Sequence, residues 1–175
     1  ILMRDRKAYS LSVAPDGHGL KPRVAEATGE GVLFTTIEHS ADCDSIVVLR
    51  PSLPKYEIAR AVIRAFKYSG KPYDFDFDFR TDSSIVCSEL VYKAYEPAAG
   101  MKGINLVMEN IMGKKMVTPN SIAKMYADEI KTGRSQLGFV LFYDGSEKEC
   151  ISVKSTEKKF RKSHSRPKWH IFVQG

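Results

Sequence analysis

Gly70-Lys71-Pro72-Tyr73-Asp74-Phe75-Asp76-Phe77-Asp78-Phe79, followed a few residues later by Ile85-Val86-Cys87-Ser88-Glu89-Leu90-Val91-Tyr92, is the stretch on which the reading of this chain turns. The second segment opens a helix predicted over about 84–96. Asp82, Ser83 and Ser84 each offer an oxygen that can cap it, and Pro97 stops it. Cys87 then falls in the first turn, where unmet backbone N–H groups and the positive end of the helix dipole favour an anion. The thiolate is the nucleophilic form of cysteine, and neighbouring amides can hold an oxyanion during acyl transfer. The competing reading is an inert, buried cysteine. In the first segment aromatic and acidic residues alternate. If extended, they would place an aromatic wall on one face and carboxylates on the other. Tyr73, Asp74 and Phe75 would then shape a substrate groove beside the thiol; otherwise the segment is an edge strand with a wet acidic face.

Working outward, residues 9–14, 23–27 and 32–37 read as strands, the first two separated by Pro15-Asp16-Gly17-His18-Gly19. The β-branched run at 45–50, closed by Pro51, reads as a well-buried strand. A helix is expected over 55–69. Ile58, Ala61, Val62, Ala65 and Phe66 form its apolar stripe, and Lys55, Glu57, Arg60, Arg64 and Lys67 fill the wet side. Another helix starts at Thr118-Pro119, a cap followed by proline, and turns Ile122, Met125, Tyr126 and Ile130 inward before Gly133. Residues 102–116 read as a long loop. A late strand at 137–143 leads through an Asp144-Gly145 turn to a partner near 150–153, and 169–173 suggests a last strand. Strands and helices are segregated in sequence. That favours an α+β fold with an antiparallel sheet over a doubly wound one.

The chain of 175 residues, 43% hydrophobic and 27% charged, has the balance of one globular domain. No apolar run approaches the ~18 to 20 residues of a membrane span. The net charge of +6 lies wholly in residues 154–175, which hold seven basic residues and one acid. Residues 1–153 are neutral. We therefore expect one domain over 1–153 and a basic extension over 154–175 docked on it. A neutral body with few tail aromatics argues against a nucleic-acid partner. Contact of the tail with an anionic surface stays open. Three cysteines, Cys43, Cys87 and Cys150, cannot all pair, and none forms a Cys-x-x-Cys motif. Cys43 between Asp42 and Asp44, and Cys150 without a partner, are expected to be unreactive. Alternating Asp74, Asp76 and Asp78 lack the pattern of a calcium loop. No metal and no cofactor are expected.

Taken with Pro22-Arg23-Val24-Ala25-Glu26-Ala27 and Val48-Leu49-Arg50-Pro51, the two opening segments resemble the circularly permuted NlpC-like cysteine hydrolases of the YiiX-like branch, over roughly residues 1–130. The resemblance implies a papain-like fold, with the nucleophile helix packed on an antiparallel sheet. It implies cleavage of amide or peptide bonds, in cell-wall-type peptides above all, with acyl esters as another substrate class. It makes Cys87 the nucleophile and Glu26 the residue that orients an imidazole. It places Tyr73 and Asp74 on the groove side, and Phe75 and Ser88 are candidate substrate contacts beside them. The family's histidine would follow Ser10, where Leu11 stands. Either the protein is a catalytically silent relative that binds a peptide or acyl ligand, or the histidine is altered in this sequence, or His18 is the base. His39 reads as a surface residue. No signal peptide is visible, and a bacterial periplasmic or cytoplasmic location is expected.

Overall fold

The computed structural model describes residue 19 and residues 21–146 and 151–166. The expected strands at 9–14 and 169–173, together with His18 and Cys150, lie outside them. In order along the chain come β1 (Val24–Thr28), β2 (Gly31–Thr35), α1 (Ile37–Ser40), β3 (Ile46–Pro51), α2 (Lys55–Phe66), α3 (Cys87–Tyr95), β4 (Glu109–Ile111), β5 (Lys114–Met116), α4 (Pro119–Thr132), β6 (Leu137–Ser146), β7 (Ile151–Ser155) and α5 (Glu157–Ser163). All described strand pairs are antiparallel. They form the hairpins β1-β2 and β4-β5 and the three-stranded sheet β3-β6-β7. This is the α+β architecture expected.

One face of the three-stranded sheet meets α4 and α5. Val47, Leu49, Phe139 and Phe142 pack there with Met125, Tyr126 and Phe160, and Val86 and Tyr92 of the α3 segment join the same core. A second cluster holds Ala27 and Val32 of the first hairpin against Ile85 and Leu90. It seats α3 on β1.

Several local expectations need correction. β3 is only partly buried, with Val48 exposed, because its second face has no covering layer among the described residues. In α2, Val62 points to solvent and Glu57 is buried. Glu57 Oε2 accepts the Gly103 amide at 3.0 Å, so a polar side chain pins the chain returning from α3. Arg64 is also off the wet side. It binds the Glu96 carboxylate and carbonyl, each at 2.6 Å, and clamps α2 to the end of α3. Asp144 and Gly145 form no turn, since β6 continues through them and pairs Asp144 with Val153 and Gly145 with Ser152. The 102–116 stretch contains the β4-β5 hairpin. The α4 boundaries are as expected. Thr118 and Ser121 cap reciprocally, Ser121 N to Thr118 Oγ1 at 3.0 Å and Thr118 N to Ser121 Oγ at 2.9 Å.

The basic tail is neither a linker nor loose surface over its described part. Thr156 caps α5, and Phe160 is buried at 2% exposure among Tyr126, Phe139 and Phe142. Tyr126 donates to Glu157 Oε1 at 2.9 Å, and Arg166 forms a two-pronged ion pair with Asp144 at 2.6 and 2.8 Å.

Candidate active site

The expected caps of α3 do not cap it. Asp82 pairs with Lys93 at 2.7 Å, and the helix starts at Cys87, three residues later than the sequence suggests, with Val86 at the N-cap. Valine has no side-chain acceptor, so no cap bond reaches the first-turn amides. Packing sets the start instead. Ile85 and Val86 are almost wholly buried, one in each core cluster, while Cys87, the first helical residue, is exposed. A thiol thus stands at the uncapped positive end of a nine-residue helix. Ser88 is buried beside it.

Glu89 occupies the third helical position with 0% exposure. Its Oε2 accepts the Val86 amide at 3.2 Å, and its Oε1 has no partner among the described residues. Burial pushes this carboxyl above the ordinary glutamate value. Sequence reading did not single it out, although a Glu three residues after the N-cap is a signal for a bond back to the cap amide.

The segment beginning at Lys71 is fastened on both sides. Val32 N donates to Lys71 O at 2.8 Å, and Gly70 N to Val32 O at 2.8 Å. This close approach requires Gly31, at φ 109, where a Cβ would meet Lys71 O at 2.5 Å. On the other side Ile85 N donates to Pro72 O at 2.9 Å and Asp74 N to Ile85 O at 3.3 Å, a parallel bridge between Tyr73 and Ile85. Tyr73 is thereby held against the residues that lead into Cys87, and its hydroxyl lies 4.0 Å from Sγ. Burial, then the adjacent Cys87, raises the Tyr73 phenol, which favours its O–H donor form.

Residues 73–79 do not form the expected strand. Asp74 is buried, and its two oxygens accept the Asp76 amide at 2.9 Å and the Asp78 amide at 2.6 Å. Such side-chain-to-backbone bonds compete with pleated pairing and coil the segment into turns. Asp74 therefore organises the loop, and its carboxylate faces that backbone. Asp78 is gripped by Arg80, whose hydrogen bonds hold its carboxyl down at about 2. Phe79 enters the core, whereas Phe75 and Phe77 are exposed, edge-on to Tyr73 with centroids 5.0 and 6.4 Å away.

Glu26 sits on β1, opposite Leu33. Its Oε1 accepts from the hydroxyls of Thr35 and Ser40, the latter at 3.0 Å, two residues that no sequence signal marked. The structure thus brings Cys87, Tyr73, Phe75 and Phe77 together, and holds Glu26 on the hairpin against which α3 packs. His39 is exposed on α1. A separate cavity of about 290 Å³, between β3, β6, α4 and α5, includes none of these residues.

An exposed cysteine opening a helix that packs on an antiparallel hairpin carrying a glutamate is a papain-like arrangement, and comparison with known proteins agrees. Residues 10–157 match the family described as "Permuted papain-like amidase enzyme, YaeF/YiiX, C92 family". The chain belongs to this family. No match was found among curated proteins. Among solved structures the chain is similar to one described as a crystal structure of metalloprotein YiiX from Escherichia coli. The identity is 22%, with 78% of this chain and 88% of that chain covered and a TM-score of 0.52.

Membership of the C92 family makes the permuted papain-like fold a finding and supports a general amidase or peptidase function. YiiX of E. coli is described as a metalloprotein. Among the described residues of the present chain, no group of three or more His, Cys, Asp or Glu could hold a metal ion.

Proposed function

We propose that this C92-family chain is a cysteine amidase that cleaves an amide or peptide bond through an acyl-enzyme on Cys87, with cell-wall-type peptides as the favoured substrate class. The observation that carries this reading is the exposed thiol at the uncapped start of α3 with the Tyr73 hydroxyl 4.0 Å from its sulfur. In the proposed cycle the Cys87 thiol gives its proton to an imidazole and Sγ adds to the carbonyl carbon. The oxyanion that forms is met by first-turn amides of α3. The C–N bond breaks as the imidazolium protonates the departing amine. Water then attacks the thioester, releasing the carboxylic acid and returning the proton to sulfur. His18 is the proposed imidazole. Glu26 would orient it through Oε2, since the Thr35 and Ser40 bonds both fall on Oε1.

The test is release of amine from a panel of peptide amides by the native chain and two variants. Cys87→Ser should abolish release. His18→Ala should lower it by about 10²- to 10⁴-fold, the worth of a positioned base. A Cys87→Ser variant with native turnover rejects the mechanism, and an unchanged His18→Ala rate removes His18 from the base role. A second reading is favoured by Leu11, which stands where the resemblance places histidine. In it the chain binds a peptide or acyl ligand in the same cleft without turnover. Saturable ligand binding with no amine release would support that reading.

A further inference from the structure

The charge that sets residues 154–175 apart plays no part in the site at Cys87. Of the described cations in this segment, Arg166 is neutralised by Asp144, and Arg161 lies 4.0 Å from Glu157. Lys154, Lys158, Lys159 and Lys162 are exposed and have no acidic partner in ion-pair range among the described residues. Helix α5 gathers three of them. With about 3.6 residues per turn, Lys158, Lys159 and Lys162 share one side of it, and Phe160 lies on the other. Phe160 is locked among Tyr126, Phe139 and Phe142, so the helix cannot roll and the lysines are held toward solvent. The preceding strand adds apolar surface. Among the described residues β7 pairs with β6 alone, and its Ile151 and Val153 are 51% and 48% exposed. Val153 stands opposite Asp144, whose carboxyl Arg166, and then Lys159, hold below the ordinary range. Cross-strand partners share a face, so these β-branched side chains lie on the side of the sheet that α5 covers, beside its lysines. A surface made for solubility mixes both signs of charge. Here cations without acids flank exposed aliphatic groups, which suits a partner that is anionic outside and apolar just beneath.

We propose that α5 and β7 form a docking surface for an anionic phospholipid bilayer, with Lys158, Lys159 and Lys162 at the headgroups and Ile151 and Val153 in the interface. No described helix is long and apolar enough to cross a membrane, and this surface lies on the bilayer. A nucleic acid would meet the same cations, but its bases stack on exposed aromatic rings. Phe160, the one Phe, Tyr or Trp in residues 154–166, is buried in the core. Charge complementarity thus selects an anionic partner, and the exposed aliphatic side chains select lipid. The surface includes neither Cys87 nor Glu26 and stands apart from the amidase reading.

The experiment sediments the full chain with vesicles of phosphatidylcholine, alone or mixed with an equal part of phosphatidylglycerol, at low and high salt. The chain should partition onto the mixed vesicles and not onto phosphatidylcholine alone, and salt should weaken the binding. Lys158→Gln, Lys159→Gln and Lys162→Gln together should lower the partition coefficient on the order of 100-fold, about fivefold per lysine. Because these ammonium groups have no described acidic partner to lose, the melting temperature should stay native. Lys55→Gln, Lys67→Gln and Arg134→Gln remove the same charge from exposed positions elsewhere and should leave most of the binding. Ile151→Ser with Val153→Ser should lower it on the order of tenfold at either salt, the effect of withdrawing a few methylenes from an apolar phase. Absence of partition onto the mixed vesicles overturns the proposal. So does an equal loss from the two triple substitutions, which would make net charge alone responsible. Binding of a DNA duplex through the same three lysines, without vesicle binding, would assign the surface to nucleic acid and overturn the lipid reading.

Discussion

Glu89 is the residue whose environment conflicts most with its chemistry. It has no exposed surface, one oxygen bonded to the Val86 amide and the other without a described partner. Burial raises its carboxyl, so the folded chain holds that proton more tightly than the unfolded chain. Its contribution to stability is greatest below the ordinary value of 4.5, declines as pH rises through the raised folded value, and is constant above it. Glu89→Gln has no such titration. Its melting temperature relative to the native chain should increase from acid to neutral pH, and a difference independent of pH would show that the charge of Glu89 is not what burial penalises. At the same scale, Tyr73→Phe keeps the ring that Phe75 and Phe77 contact and removes only the O–H near Sγ. At 4.0 Å that contact is long, so Cys87 alkylation should slow by only about threefold, equivalent to the low end of an ordinary hydrogen bond. No change would mean the hydroxyl does not act on the thiol. Cys87 was legible in the sequence because a helix start is a local pattern. Glu89 was less so, because whether a glutamate three residues into a helix is solvated or buried depends on what α3 packs against.

Among the elements, α2, α3 and α4 were legible by period or end signals whereas α1 and α5 were not, and α4 is the clearest case: Thr118, Pro119 and Gly133 mark both ends. Its capping box and proline are local chemistry that no distant contact overrides. The α3 start was displaced because buried Ile85 and Val86, through long-range packing, outweighed the capping oxygens just upstream. The 73–79 segment was misread for another reason. Its alternation has the period of a strand, but Asp74 uses its carboxylate to bind two amides of its own loop. Alternation of acids and aromatics therefore does not by itself separate a pleat from an Asp-centred turn. The loop depends in turn on the first hairpin. Gly31→Ala would push a Cβ to 2.5 Å from Lys71 O at a backbone angle that L side chains rarely adopt. It should cost about 1–3 kcal/mol and loosen the Tyr73 loop from β2. Denaturant unfolding checks the first effect, and amide exchange at Val32, which donates to Lys71 O, checks the second. Unchanged protection at Val32 would show that the loop is held from the α3 side alone.

Across the whole molecule, the +6 charge belongs to a segment that is partly structural. Its helix α5 presents Phe160 to the central core, so an extension that looks separable by charge is joined to the body by packing. Phe160→Ala should destabilise the entire domain by about 3–5 kcal/mol, read as a shift of one cooperative denaturation midpoint. Early loss of α5 alone, with the sheet intact, would show that it is an appendage. The Tyr126–Glu157 bond adds a pH signature. Burial and then that carboxylate push the phenol up to about 12, so its stabilisation is complete below 10.0 and is lost as pH rises through the folded value. The same arrangement orders events during synthesis. β3 pairs with β6 across everything that lies between them, including Cys87, and the core they share is closed by residue 160. A chain emerging from the ribosome exposes its thiol well before the three-stranded sheet can assemble. The cell therefore meets Cys87 as an ordinary thiol on an unfinished polypeptide, and its surroundings form only once nearly the whole described chain has been translated.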